Sequence, residues 1–308
     1  MSSSLRRAAT DAGLTIDEFA EPLRHHVVVD GHRLHCLDWG NAGRPLVLLL
    51  HGHALTAHTW DLVCLALRPT FHCVAVDLRG HGDSEWSAAG DYRIPAYVRD
   101  ITGLLAKLTD QPAIVIGQSL GGIIALRCAI GAPDAVRGVV VVDIAPDSEN
   151  RFRAGFDGKS GGTAKRLADL MDAPAELDSV EEFVQQSLAF NPRRNPATLR
   201  SSLTHNLRQL PNGKWSWKYD RRHYGRRPDD PTTLNPWTNL DEVTCPTLVV
   251  RGGRSDILTD EGAQELVDLL PNARWTTVPN AGHSVQGDNP AGLLDALNPY
   301  LAELGVTG

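Results

Sequence analysis

Ser119 stands between glycines in the stretch Gly117-Gln118-Ser119-Leu120-Gly121. An apolar run over 113–117 stops at the first glycine, and a second apolar run with helical spacing starts at Leu120. A strand that turns this sharply into a helix pushes the intervening residue into strained backbone angles. Side chains beside it would collide, so glycines flank it. The hydroxyl then projects above the sheet at a helix N-terminus, where developing negative charge is favoured. This is the sequence form of a nucleophile elbow. The same residues could instead make a plain glycine-rich turn with a serine N-cap.

A serine hydroxyl attacks well only when a base removes its proton, and that base is most often a histidine held by a carboxylate. His283, in VPNAGHSVQGDNP, follows the last predicted strand, at the edge where open α/β sheets gather their sites. Two aspartates could hold it. Asp256, in RGGRSDIL, lies just past the run 244–253; Asp143 ends the run 136–143 and could otherwise stabilise the turn at Ala145-Pro146. The oxyanion of acyl transfer also needs donors. HGHAL (51–55) follows a strand and precedes a helix, so the backbone N–H of His53, paired with that of Leu120, could supply two. A metal on His51, His53 and His58 is the other reading of this loop, but no carboxylate or cysteine cluster completes such a site, and no metal or cofactor is expected. Gly80-x-Gly82 lacks the third glycine of a dinucleotide fingerprint and reads as a tight loop near the site.

The elements that must position these residues follow from run length and period. HHVVVD (25–30) and HRLHCLDW (32–39) flank Gly31 as a hairpin. PLVLLLHG (45–52), FHCVAVD (71–77), AIVIG (113–117), VRGVVVVD (136–143), TCPTLVVRGG (244–253) and ARWTTVP (273–279) are predicted strands. Helical patterns over 57–67, 97–108, 120–130, 259–270 and 289–304 separate them. Near-continuous apolar strands imply a sheet buried on both faces, hence mostly parallel and covered by helices.

The rhythm disappears between Asp147 and Asn239. Within 150–230 there are 15 Lys/Arg against 10 Asp/Glu, a local excess of positive charge in an acidic chain. Trp215 and Trp217 in NGKWSWKYD are two residues apart, so in an extended segment both rings face one side. They either staple this region to the core or form an apolar wall for a substrate. The pairs Arg193-Arg194, Arg221-Arg222 and Arg226-Arg227 read as a solvated face or, turned inward, as a carboxylate clamp.

The chain has 308 residues, enough for a core that needs no disulfide staples. Its five cysteines include no CxxC pair, which suggests reduced thiols and a cytoplasmic protein. The net charge of −7 argues against nucleic acid. No apolar stretch reaches the length of a membrane span. The N-terminal stretch 1–23 lacks the apolar centre of a secretory signal and reads as a disordered or weakly helical lead-in.

Together, LLLHGHALTAHTW, VAVDLRGHGDS, GQSLGG, VVVDIAP, TLVVRGGRSDIL and VPNAGHSVQGDNP resemble the α/β-hydrolase superfamily, in family order, over residues 25–145 and 240–305. The resemblance implies an α/β-hydrolase fold, with a mostly parallel eight-stranded sheet flanked by helices and a helical cap inserted after strand 6. It divides the chain into an N-terminal extension (1–24), a core (25–147 and 239–308) and a cap (148–238). It implies Ser119 as nucleophile, His283 as base, Asp256 as acid and the N–H groups of His53 and Leu120 as oxyanion hole. Haloalkane dehalogenases and epoxide hydrolases of the superfamily carry aspartate where Ser119 stands, so their activities are not expected. The expected function is a serine hydrolase of esterase or lactonase type. It would cleave a carboxylic ester or lactone of a small to medium, partly apolar molecule through an acyl-enzyme, with Trp215 and Trp217 as substrate-binding residues. A carbon–carbon bond hydrolase, a cofactor-free oxygenase, a lyase or a receptor-like binder with an idle triad could use the same fold. The expected partner is a small-molecule substrate, with no nucleic acid and no membrane, and the state is monomer or homodimer.

Overall fold

Runs of consecutive apolar residues become strands buried on both faces. In the computed structural model, which describes residues 2–148, 162, 163, 165, 169, 173–190, 196–222 and 235–305, every residue of Leu46–Leu50 and of His72–Val76 is buried. Alternation sorts their side chains. Leu46, Leu48 and Leu50 enter the apolar cluster on one face of the sheet, while Val47 and Leu49 enter that on the other.

In chain order the core elements are α1 (Ser2–Asp11), β1 (Leu23–Val29), β2 (His32–Asp38), β3 (Leu46–Leu50), α2 (Asp61–Leu67), β4 (His72–Val76), α3 (Ile94–Leu108), β5 (Ala113–Gln118), α4 (Leu120–Gly131) and β6 (Val136–Val142). An insertion contributes β7 (Glu176–Leu177), α5 (Val180–Phe190), α6 (Pro196–Asn206), β8 (Leu207–Gln209) and β9 (Trp215–Trp217). The core resumes with β10 (Thr247–Gly252), α7 (Asp260–Asp268), β11 (Ala273–Val278), α8 (Val285–Asp288) and α9 (Pro290–Glu303). No described helix is long and apolar enough to cross a membrane.

The main sheet has eight strands in the order β1-β2-β4-β3-β5-β6-β10-β11. β2 pairs antiparallel with both β1 and β4, and the pairs from β4 to β11 are parallel. The β1–β2 hairpin turns through Asp30 (φ 46°) and Gly31 (φ 79°), the double positive-φ turn that suits strand twist. Parallel register aligns Leu50 with Gly117, Gly117 with Val141, and Val142 with Val250. The C-terminal ends of β3, β5, β6 and β10 therefore share one rim, and the loops leaving them meet there.

Two expectations change. The N-terminal lead-in is helical over α1 and docked: Ala9 is 1% exposed, and Leu5, Leu14, Ile16 and Phe19 pack on the core cluster under α2 and α9. Its apolar residues are too sparse to announce a helix, and the surface they cover comes from distant parts of the chain. The insertion between β6 and β10 is not purely helical. It holds a three-stranded antiparallel sheet, β7-β9-β8, beside α5 and α6, with its own apolar cluster of Phe183, Val184, Leu199, Leu203, Leu207, Trp217 and Tyr219.

Candidate active site

The turn after β5 places Ser119 at φ 52°, ψ −116°, outside the comfortable regions for a residue with a side chain. Close backbone approach makes the flanking glycines obligatory. A Cβ on Gly117 would lie 2.1 Å from the carbonyl oxygen of Gly121, and one on Gly121 would lie 2.4 Å from that of Leu50. The strain is held by the Ser119 N–H, which donates to Val142 O at 2.9 Å, and by the Ser119 carbonyl, which accepts from Gly122 and Ile123. α4 starts at Leu120, so the N–H of Leu120 belongs to the first helical turn, whose donors have no intrahelical acceptor.

His283 follows β11, and its Nδ1 lies 2.9 Å from Asp143 Oδ2. Asp143 sits one residue past β6 at φ 56° and is fully buried. Its Oδ1 accepts from the Gly252 N–H at 2.8 Å, and its Oδ2 also accepts from the Ser255 hydroxyl. Burial pushes the Asp143 carboxyl above its ordinary range, against the hydrogen bonds from His283, Ser255 and Gly252 that favour its charge. With Nδ1–H donated to the carboxylate, Nε2 carries the lone pair. Gln118, next to Ser119, places its Nε2 3.3 Å from that nitrogen, so this edge of the ring lies beside the side chain that precedes Ser119.

The expectation that Asp256 holds His283 is corrected. After β10 the chain turns Ser255 inward to Asp143 and leaves Asp256 exposed, with Oδ2 accepting the Thr163 N–H of the insertion at 2.7 Å. A Cβ on Gly162 would meet that carboxylate oxygen at 2.3 Å, so the inserted backbone lies directly on it. Asp143, the second candidate in the sequence, is the aspartate that meets the imidazole.

The loop 51–55 abuts the elbow: a Cβ on Gly121 would also approach His51 O at 2.9 Å. Within it Ala54 has φ 60° and the Leu55 N–H donates to Gly52 O, so His53 sits in a tight turn beside Ser119's loop. His51 is wholly buried and uses both ring nitrogens, Nδ1 donating to Gly52 O and Nε2 accepting from the Leu78 N–H. Burial also lowers its affinity for a proton. His58 bonds Asp61 and stacks on His205 of α6 at 3.7 Å between ring centres. His51 and His58 are thus tied into separate hydrogen-bond sets rather than converging with His53. Among the described residues, His35, Asp77 and Asp83 bring ligand-type atoms together. There the Asp77 carboxylate already accepts from His35 Nδ1 and the Ala57 and Asp83 N–H groups; burial works to raise it, but these bonds hold it at about 2. Gly82 wraps this same carboxylate, since its Cβ would lie 2.1 Å from Asp77 Oδ2, which accounts for the Gly80-x-Gly82 loop.

Trp215 and Trp217 do face one side, but that side is the insertion's own core. Trp217 is 6% exposed, edge-on to Phe183 at 4.9 Å, and Trp215 packs against the same cluster. The substrate-wall expectation is corrected for Trp217, whose burial gives a small sheet and two helices a core; Trp215 is half-buried at the edge of that cluster. Arg222 is engaged by Asp220 and by Ser87 O, whereas Arg193-Arg194 and Arg226-Arg227 lie outside the described residues. Sequence reasoning missed Gln118 and Ser255. A polar residue at the buried end of a strand was the available signal for Gln118.

Comparison with known proteins adds to this geometry. A model described as "Alpha/beta hydrolase family" matches residues 47–296. Esterase Rv0045c of Mycobacterium tuberculosis is 35% identical over 282 residues, 91% of this chain and 90% of that protein. Its solved structure superposes with a TM-score of 0.80 at 32% identity, covering 97% of each chain. The sn-1-specific diacylglycerol lipase ABHD11 of Mus musculus is 29% identical, covering 85% of this chain and 83% of that one.

Proposed function

The chain belongs to the α/β-hydrolase family, and from that premise we propose that it is a serine hydrolase that cleaves a carboxylic ester or lactone of a small to medium, partly apolar molecule through an acyl-enzyme. The observation that carries this reading is one rim: a strained serine at the end of β5, and a histidine–aspartate pair whose other ring nitrogen lies 3.3 Å from the side chain of Gln118, the residue before that serine. The similarity to proteins named esterase and diacylglycerol lipase favours ester bonds over the other chemistries of the fold.

In the proposed reaction Ser119 Oγ attacks the acyl carbon while His283 Nε2 takes its proton. Asp143 holds Nδ1–H, fixes the tautomer and stabilises the imidazolium that forms. The N–H groups of His53 and Leu120 receive the oxyanion, and the dipole of α4 favours it further. His283 returns the proton to the leaving alcohol, and water repeats the cycle on the acyl-enzyme. The region 148–238 acts as a cap that selects substrate, with Asp256 binding its backbone.

A fluorophosphonate probe with peptide mass mapping tests the assignment. Ser119 carries the label, and Ser119→Ala loses both labelling and ester hydrolysis by several orders of magnitude with the fold intact. Label on another residue, or wild-type turnover in Ser119→Ala, removes the proposal. A neutral ester paired with an analogue bearing a free carboxylate then probes substrate class; preference for the anionic member would replace the apolar substrate with an acidic one.

A further inference from the structure

Gln118 ends β5, is 1% exposed, and spends its side chain on one residue. Its Nε2 donates to the carbonyl oxygen of His283 at 3.1 Å and approaches His283 Nε2 at 3.3 Å. Its Oε1 is buried without a hydrogen-bond partner. A buried amide oxygen left unpaired costs about 1–3 kcal/mol, so the carboxamide is not placed there for stability alone. The loop opposite is shaped around it: a Cβ on Gly52 would lie 1.9 Å from Oε1. Gly52 therefore leaves the space in which the amide lies across the elbow and reaches the imidazole.

We propose that Gln118 is a positioning residue that clamps His283 and sets an amide N–H against its Nε2 edge, an inference that rests on the serine-hydrolase reading above. Because Asp143 takes Nδ1–H, the resting Nε2 accepts from the amide N–H. Once Nε2 is protonated, two N–H groups face each other and the imidazolium is disfavoured. The bond to the His283 carbonyl retains the amide when the serine proton arrives. The other groups around the ring are of a different kind. Asp143, from the end of β6, favours the imidazolium. Asp288, on α8, accepts the Gly282 N–H at 2.9 Å, and Asp256 stands exposed past Ser255. Gln118 sets a neutral N–H donor against the basic edge.

The test is the pH dependence of kcat/KM for a p-nitrophenyl ester, and of fluorophosphonate labelling, in wild type, Gln118→Met and Gln118→Glu. Met keeps the length without the donor, and Glu accepts from the imidazolium. The acid limb moves to higher pH by about half a unit in Gln118→Met and further in Gln118→Glu. A limb in Gln118→Met that coincides with wild type, whether or not the plateau falls, overturns the proposal and leaves Gln118 a packing residue. If circular dichroism shows Gln118→Met unfolded, Gln118→Leu carries the same prediction. Ser119→Ala separates the two levels of inference. Should it retain labelling and turnover, the serine-hydrolase reading fails; should it lose both while the Gln118 limb stays fixed, this inference alone fails.

Discussion

At the scale of single residues, two aspartates compete for one histidine and geometry separates them. Asp143→Asn leaves the ring in the wrong tautomer and is expected to lower kcat by about 10³–10⁴-fold, as loss of a triad carboxylate does elsewhere. Asp256→Asn removes the charge but keeps an oxygen able to accept the Thr163 N–H, and is expected to stay within about tenfold of wild type. Steady-state kinetics on both, with circular dichroism to check folding, decides; the reverse ranking returns the acid to Asp256. The pH profile belongs to the same pair. In the proposed reaction, protonating His283 removes the lone pair needed for the serine proton, so activity is expected to fall toward acid. Burial raises the Asp143 carboxyl, so it too takes up a proton on the acid side and releases its hold on Nδ1. The logarithm of kcat/KM is therefore expected to fall with a slope steeper than one once both groups hold protons, and a slope of one throughout assigns the limb to a single proton.

At the scale of elements, loops are held to the sheet by a few buried contacts, and these are the vulnerable points. Arg79 and Asp100 join the loop after β4 to α3 through two charge-assisted bonds of 2.5 and 2.6 Å, with both residues buried. Removing Asp100 leaves the Arg79 guanidinium buried without its ion-pair partner, holding the Asp91 carbonyl through Nη1. Asp100→Ala is expected to cost about 3–5 kcal/mol, read as a lower urea midpoint. An unchanged midpoint would mean that water reaches Arg79 readily. Gly121→Ala strikes backbone rather than side chain, because its Cβ would meet the Leu50 carbonyl, and is expected to destabilise by about 2–3 kcal/mol. These elements were legible because apolar runs and helical spacing are local signals. The hairpin at Gly31, the strands 46–50 and 72–76 and the turn at Ser119 all stand where the pattern put them. α1 and the small sheet were not legible. Each is short, and each depends on packing against residues far away in the chain.

At the scale of the molecule, the described residues of the insertion meet the core at several places, Thr163 against Asp256 among them. Asp220 donates its N–H to Gly80 O at 2.8 Å, its carboxylate accepts the Tyr92 hydroxyl, and Lys218 pairs with Asp83 at 2.6 Å. On the other side Thr56 Oγ1 donates to Asn206 Oδ1 at 2.7 Å. The insertion has a separate apolar cluster centred on Trp217, so it can loosen without unfolding the sheet. Trp217→Ala is expected to make the segment 173–222 sensitive to limited proteolysis while the main urea transition stays close to wild type. Turnover of a small acetyl ester should survive, and discrimination between acyl lengths should weaken. A single transition shifted as a whole would instead show that the insertion and the core unfold together.

The sequence by itself determined the alternating α/β order, the parallel sheet and the elbow serine with its glycines. Each of these follows from interactions among residues within one strand, one turn or one helix. It also brought His283 and both aspartates to the correct edge, since loops that leave parallel strands at their C-terminal ends must meet there. Only the tertiary structure decided which aspartate meets the histidine. His283 and Asp143 are 140 positions apart, and both carboxylates end neighbouring strands, so spacing could not separate them. The direction of each loop did: the turn at Asp143 (φ 56°) leaves its carboxylate buried against the imidazole, whereas that after Gly252 turns Ser255 inward and Asp256 out. The same holds for Gln118 and for the tryptophans, whose roles depend on what lies across from them, and that is set by the packing of distant segments rather than by local pattern.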